Sequence, residues 1–247
     1  MRAAPDDRSE MISQTLFGEI LEIEEVRKNW SLVRCLYDDY RGWVDTKQYY
    51  PLEDDEAAKL MDSHVFYSKE TVSTIYNISG KREQRIVFGS HFPGYSNGKI
   101  RFGKNEFIVK ENPLTLKIVK SVDSVLEMAR KFMDAPYLWG GKTPFGVDCS
   151  GFTQSVFKTC GIKLKRDASQ QVHQGENIDF IGDILPGDLA FFDDKEGRII
   201  HVGIIFPNNK IMHASGKIRL DILDHNGIFN EEKGDYTHKL RIVKRFL

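Results

Sequence analysis

The sequence predicts an α+β protein: two small β-barrels, then a domain whose helices precede an antiparallel sheet. Up to about residue 110, apolar residues come in short alternating runs cut by glycines, the pattern of half-buried strands. Around 122–133 and again at 149–160 the spacing lengthens to three or four residues, that of a helix face. From Asp188 onward the runs are short and apolar once more, and helices followed by strands is an α+β order.

Residues 11–55 make the first barrel. Its runs are Leu16 to Val26, Trp30 to Leu36 and Tyr40 to Val44, with Trp30 and Trp43 as core anchors. Turns fall at Phe17-Gly18-Glu19 and at Asp38-Asp39-Tyr40-Arg41-Gly42. The acidic cluster Glu53-Asp54-Asp55-Glu56 reads as a solvated linker or a helix start. Residues 62–112 make a second, more divergent barrel, with runs Val65 to Tyr76, Arg85 to Phe88, Lys99 to Phe102 and Phe107 to Val109. Glu111-Asn112-Pro113 closes it, and the third domain spans 120–247. There Val122, Val125, Leu126, Ala129, Phe132 and Met133 share a helix face, with Ser121 or Ser124 as its cap. The expected sheet strands are Leu189–Phe192, Ile199–Phe206, Lys210–Ala214, Ile218–Ile222 and Leu240–Arg245.

Composition excludes several functions. The net charge of −1 over 247 residues implies no general attraction to nucleic acid or anionic membrane. No aromatic-basic stripe suggests RNA, and no apolar run approaches a membrane span. The first ten residues are polar and acidic, unlike a signal peptide, so the expected compartment is the cytoplasm. If a leader has been removed, it is the periplasm or the exterior. Three cysteines do not all pair, and Cys35 and Cys160 read as small core residues.

The chemistry centres on Ala135 to Cys160. Paired glycines and a proline precede Cys149, and Phe152, Val156, Phe157 and Cys160 follow at helical spacing, with Gly161 as the stop. Cys149 is therefore expected as the first or second residue of a helix, where free N–H groups and the helix dipole favour the thiolate. His201 and His213 sit in short apolar strands on either side of Pro207-Asn208-Asn209; as a hairpin, they become neighbours. A thiol, a base and a group that orients the base are the minimum for attack on an amide. His201 would take the proton and His213 would hold its ring. Zinc is not expected, because no CxxC or HExxH accompanies these residues; nor is a nucleotide, because Gly140-Gly-Lys142 lacks the rest of a P-loop.

Six co-ordered pieces resemble the NlpC/P60 cysteine peptidases: Tyr137-Leu-Trp-Gly-Gly141, Asp148-Cys-Ser-Gly-Phe152, Arg166-Asp-Ala-Ser-Gln-Gln171, Leu185-Pro-Gly-Asp-Leu-Ala-Phe-Phe192, His201-Val-Gly-Ile-Ile205 and Met212-His-Ala-Ser215. The resemblance implies a papain-like catalytic fold that needs no cofactor, with Cys149 as nucleophile, His201 as base and His213 as the orienting third member. It also implies that the Tyr137 hydroxyl helps the Cys149 N–H hold the oxyanion, and that Trp139, Asp148, Ser150 and Ser169 bind substrate. Asp148 beside a thiolate otherwise raises the thiol pKa, so it makes more sense opposite a cationic or N–H part of the substrate. His64, His91, His173, His225 and His238 match no motif and are taken as surface or structural. Asn29-Trp-Ser-Leu-Val-Arg34 followed by Tyr40-Arg-Gly-Trp-Val44 resembles bacterial SH3 domains.

Two barrels ahead of such a core resemble the recycling endopeptidases that cut L-Ala-γ-D-Glu-diamino acid peptides. The expectation is a monomer in which Glu19, with Tyr40, Tyr49 or above all Tyr50, binds the free amine of an N-terminal L-Ala. The alternatives are a wall-lytic amidase or acyltransferase on the same thiol fold, and a cell-wall binding module.

Overall fold

The structure is a computed structural model that describes residues 1–115 and 120–247, with Thr115 and Ile181 described by backbone alone. The stretch between the second barrel and the third domain therefore lies partly outside the described residues. The chain divides into two compact units, Met1–Ile118 and Val119–Leu247.

In the first unit, β1 (Leu21–Arg27), β2 (Trp30–Cys35) and β3 (Arg41–Asp45) form an antiparallel sheet in that order. β2 alternates in burial, with Val33 and Cys35 inward, as a half-buried strand should. The run read as one strand from Leu16 breaks before β1. Gly18 has φ +78°, and a Cβ there would stand 2.0 Å from the His91 carbonyl oxygen. Glu19 closes the turn by accepting from the Leu16 N–H at 2.9 Å. Residues ahead of this turn also join the sheet, where Arg2 exchanges two 2.8 Å backbone hydrogen bonds with Trp43.

The acidic cluster begins a helix, α1 (Asp54–Met61), whose first turn carries Asp54, Asp55 and Glu56 at its positive dipole end. Beyond it come β4 (Phe66–Tyr67), β5 (Val72–Asn77), β6 (Arg82–Val87), β7 (Lys99–Phe102), β8 (Asn105–Val109) and β9 (Leu114–Thr115). Four of these make a sheet in the order β6-β5-β8-β7, and β4 pairs with β9. The core holds Ile75, Ile86, Phe92, Ile100, Phe107 and Val109. Phe17 packs edge-on against Phe107 at 5.3 Å, so the two barrel regions share apolar contacts.

The second unit opens with α2 (Val122–Arg130), capped by Ser121, whose hydroxyl accepts from the Ser124 N–H at 3.2 Å. A short hairpin, β10 (Lys142–Thr143) and β11 (Gly146–Val147), leads into α3 (Cys149–Thr159), every residue of which is buried. After α4 (Ala168–Gln171) come β12 (Glu176–Ile178), β13 (Leu189–Asp193), β14 (Ile199–Phe206), β15 (Lys210–Ser215), β16 (Lys217–Leu223), β17 (Gly227–Asn230) and β18 (Asp235–Arg245). The five expected strands are present, and β12 and β17 join them. The sheet is closed rather than open: β18 pairs with both β13 and β17, making a ring of six strands with β12 outside it. Ala190, Phe192, Ile205, Ile211, Leu223, Ile228 and Val243 fill one core of this sheet.

Candidate active site

The loop before α3 is drawn tight against the helix. A Cβ on Gly151 would stand 2.1 Å from the Gly141 carbonyl oxygen, so only glycine permits this approach. Asp148 is the N-cap and accepts from the Gly151 N–H at 2.6 Å. Its other oxygen accepts from the Gly140 N–H at 2.8 Å. Cys149 is therefore the first helical residue, as the sequence predicts.

The sequence places a cationic or N–H group opposite Asp148 but expects it from the substrate. The chain supplies its own. Arg166, fully buried, grips both Asp148 oxygens at 3.0 and 2.6 Å and also donates to the Ser150 hydroxyl at 3.0 Å. Such a planar, bidentate pairing is the geometry that makes a buried ion pair tolerable. Gln171 ties α4 to α3, donating to the Ser150 and Lys165 carbonyls at 3.0 and 2.8 Å and accepting from Thr153 at 2.7 Å.

The ionisation of Cys149 differs from the expectation of a resting thiolate. Burial pushes the thiol up to about 12 and the Asp148 charge adds to this, while the N–H groups of Val202 and Ser150 and the Arg166 charge oppose it. The helix start is real, but desolvation outweighs the dipole. Cys149 rests as a thiol with its sulfur at the Val202 N–H, the residue after His201.

His201 and His213 do lie on paired strands. Gly203 is opposite His213, which puts the two histidines on one sheet face in diagonal register. His201 Nε2 and His213 Nδ1 are 2.9 Å apart, and His213 Nε2 lies 3.0 Å from Asp221 Oδ2. Asp221, on β16, is the member that sequence reasoning missed. Its only sequence signal is an acid between apolar neighbours in KIRLDIL, and its meaning depends on strand register. Burial pushes its carboxyl up, but hydrogen bonds from His213 and Arg219 outweigh this and hold it below its ordinary value. Asn230 also donates to it at 3.3 Å.

Asp221 sets the protons along this line. An ionised carboxylate only accepts, so His213 must donate from Nε2 and present the Nδ1 lone pair. His201 then donates from Nε2, leaving its Nδ1 lone pair as a proton acceptor. Burial holds His201 well below the usual histidine range, and a proton on the neighbouring His238 or His213 ring would push it further down. The base is neutral at neutral pH.

Tyr137 is partly exposed, and burial first, then the Cys149 and Asp148 charges, push its hydroxyl up to about 12. It remains a donor. Trp139 is exposed, Ser150 is buried beside Arg166, and Ser169 is exposed on α4. Glu19 and Tyr50 belong to the first unit. The Glu19 carboxylate accepts from its own turn, and the Tyr50 hydroxyl accepts from the Lys104 N–H at 3.4 Å.

His201, His213 and His238 place nitrogens within 4.8 Å of one another. They do not converge as metal ligands should. The facing nitrogens of His201 and His213 serve each other, and the His201 and His238 rings lie 4.2 Å apart at only 24°. Their in-plane lone pairs run side by side instead of meeting at a tetrahedral centre.

Residues 134–235 match the NlpC/P60 family, and residues 1–48 match the bacterial dipeptidyl-peptidase SH3 domain. A gamma-D-glutamyl-L-lysine dipeptidyl-peptidase from Bacillus subtilis is 29% identical over 215 residues, covering 82% of this chain and 71% of that protein. Its namesake from Bacillus cereus is 25% identical, covering 82% of this chain and 66% of that one. The solved structure of an NlpC/P60 family protein from Bacillus cereus superposes with a TM-score of 0.80 at 20% identity, over 96% of this chain and 82% of that one, a likeness of fold.

Proposed function

From the premise that this chain is an NlpC/P60 cysteine peptidase with a bacterial dipeptidyl-peptidase SH3 domain ahead of its catalytic domain, we propose that it hydrolyses the γ-D-glutamyl–diamino acid bond of peptidoglycan stem peptides with a free N-terminal L-Ala. One observation carries the chemistry: a buried thiol at the start of α3 has its sulfur at the Val202 N–H, and the residue before Val202 is a histidine whose tautomer is fixed by His213 and Asp221. The names of the Bacillus relatives support the bond and the peptide class.

In the proposed reaction His201 Nδ1 takes the Cys149 proton as sulfur attacks the γ-carbonyl carbon. The oxyanion is held by the Tyr137 O–H and the Cys149 N–H, each such donor being worth roughly 3 kcal/mol. The intermediate collapses, the C–N bond breaks, and His201 returns its proton to the departing amine. The thioester that remains is attacked by water, whose proton passes to His201 and then to sulfur. The acid product leaves with the thiol restored.

Trp139, Asp148, Ser150 and Ser169 are the proposed substrate contacts in the catalytic domain, with Asp148 and Ser150 aligned by Arg166. Glu19 and Tyr50 are the proposed amine-binding pair, within barrels assigned to 11–55 and 62–112 ahead of a catalytic domain at 120–247. Among the described residues no helix is long and apolar enough to cross a membrane. The proposed protein is a monomer of a reducing compartment such as the cytoplasm, a reading that an odd count of three cysteines supports.

Acid quenching during turnover of L-Ala-γ-D-Glu-L-Lys, followed by mass spectrometry, tests the mechanism. Cys149 should carry an L-Ala-γ-D-Glu thioester, and Cys149→Ala should carry none and retain less than about a thousandth of parent turnover. Turnover of the peptide by Cys149→Ala above that level refutes the assignment.

A further inference from the structure

The sheet carries a third imidazole that this mechanism does not use. His238, half-buried on β18, stacks on His201 with centroids 4.2 Å apart and planes 24° apart. It meets the edge of His213 at 5.7 Å and Phe192 at 5.9 Å. Its own ring is pinned. The Thr237 hydroxyl donates to the Ile228 carbonyl at 3.3 Å, so it accepts from His238 Nδ1–H at 2.9 Å.

The hydrogen bond from His201 to His213 fixes one point of the base but leaves the ring free to turn about that axis. A flat, anchored surface against the ring removes this freedom, because offset stacking falls off as the planes diverge. The same surface keeps water from the ring. We propose that His238 is a positioning residue: stacked on His201, it fixes the plane of the base and shields it, so that Nδ1 stays aimed at Cys149. This rests on the reading of Cys149 as nucleophile and His201 as base.

The ionisable groups around the stack are His201 on β14, His213 on β15, Asp221 on β16 and Lys233 between β17 and β18. Burial first, then coupling to the His213 ring, holds His238 down to about 4, with the Lys233 charge adding to this and Asp221 opposing it. The stack is therefore neutral on neutral at the pH of catalysis. If His238 is truncated, His201 regains water and its pKa rises, so the acid limb of thiol reactivity moves to higher pH.

The test is the rate of iodoacetamide labelling of Cys149 against pH, on the full chain, for the parent, His238→Ala and His238→Phe, with kcat and KM on the tripeptide alongside. His238→Ala should label about tenfold more slowly at neutral pH, because a misaligned base forfeits part of its general-base contribution. Its acid limb should lie higher, and kcat should fall with KM within about twofold of the parent. His238→Phe keeps a flat face without an ionisable group, and should restore rate and limb together. Parent-like labelling by His238→Ala, or a folded His238→Phe as impaired as His238→Ala, overturns the proposal. If labelling follows this pattern but no tripeptide is cut, the substrate reading fails and the positioning role stands.

Discussion

A thiol held up by burial and a histidine held down by it are the two groups of the proposed reaction, and their shifts decide how activity should follow pH. His201 must be unprotonated to act, and its pKa lies well below 6.5. Activity should therefore rise with pH through that value and level off before neutrality; an acid limb in kcat/KM above pH 7 contradicts this. The same shifts link to stability. The folded pKa values of His201 and His238 lie below the ordinary 6.5. Between those values and 6.5 the unfolded chain binds more protons, so stability falls as pH drops below 6.5, continuing to about 4 for His238. Thermal unfolding at pH 7 and pH 5 measures it. At Asp221 the sign of the proton is the issue. Asp221→Asn can donate to His213 Nε2, which reverses both tautomers and leaves His201 Nδ1 protonated. A loss of about a hundredfold in kcat with KM little changed is expected, less than for an acid that touches the base directly. Parent-like kcat in this variant means that the tautomer is set elsewhere. Cys149, His201 and His213 were legible in the sequence because each sits beside its own local signal, a helix start or a turn-bounded strand. Asp221 and His238 were not, because they reach the base only through strand register and the pairing of β18.

At the scale of elements, α3 was legible almost to the residue. Its glycines, apolar spacing and Gly161 stop are local features, and local features are what a sequence displays. The β14–β15 hairpin was legible for the same reason. The closing of the sheet was not, since pairing of β13 with β18 is a long-range choice between edges that a strand pattern does not encode. Nor was the role of Arg166, quoted only as the first letter of a motif. Its guanidinium neutralises the N-cap carboxylate one residue from the nucleophile. Arg166→Met leaves that carboxylate buried without its counter-ion and should cost about 3–5 kcal/mol in urea unfolding. Adding Asp148→Asn keeps a capping oxygen without the charge and should return part of that loss. An unchanged midpoint for Arg166→Met shows that the pair stabilises nothing.

For the molecule as a whole, the resemblance carried what patterns alone did not: barrel runs suggest strands, but only matching phrases suggest which barrel. The sequence also treats the two barrel regions as separate, whereas Phe17 and Gly18 pack against residues of the second. The first barrel is proposed to recognise a free amine, so that short peptides are cut and wall-linked ones are spared. Loss of one partner of a buried ammonium–carboxylate pair costs several kcal/mol, so Glu19→Ala should lower kcat/KM on the free tripeptide by about a hundredfold. Acetylating the peptide should harm that variant much less than the parent.

The measurement that bears most directly on the account is product analysis by mass spectrometry from L-Ala-γ-D-Glu-L-Lys, offered free and N-acetylated. The parent chain should release L-Ala-γ-D-Glu and lysine from the free peptide, with kcat/KM about a hundredfold lower on the acetylated one. Equal cleavage of the two peptides, or scission at any other bond, contradicts it.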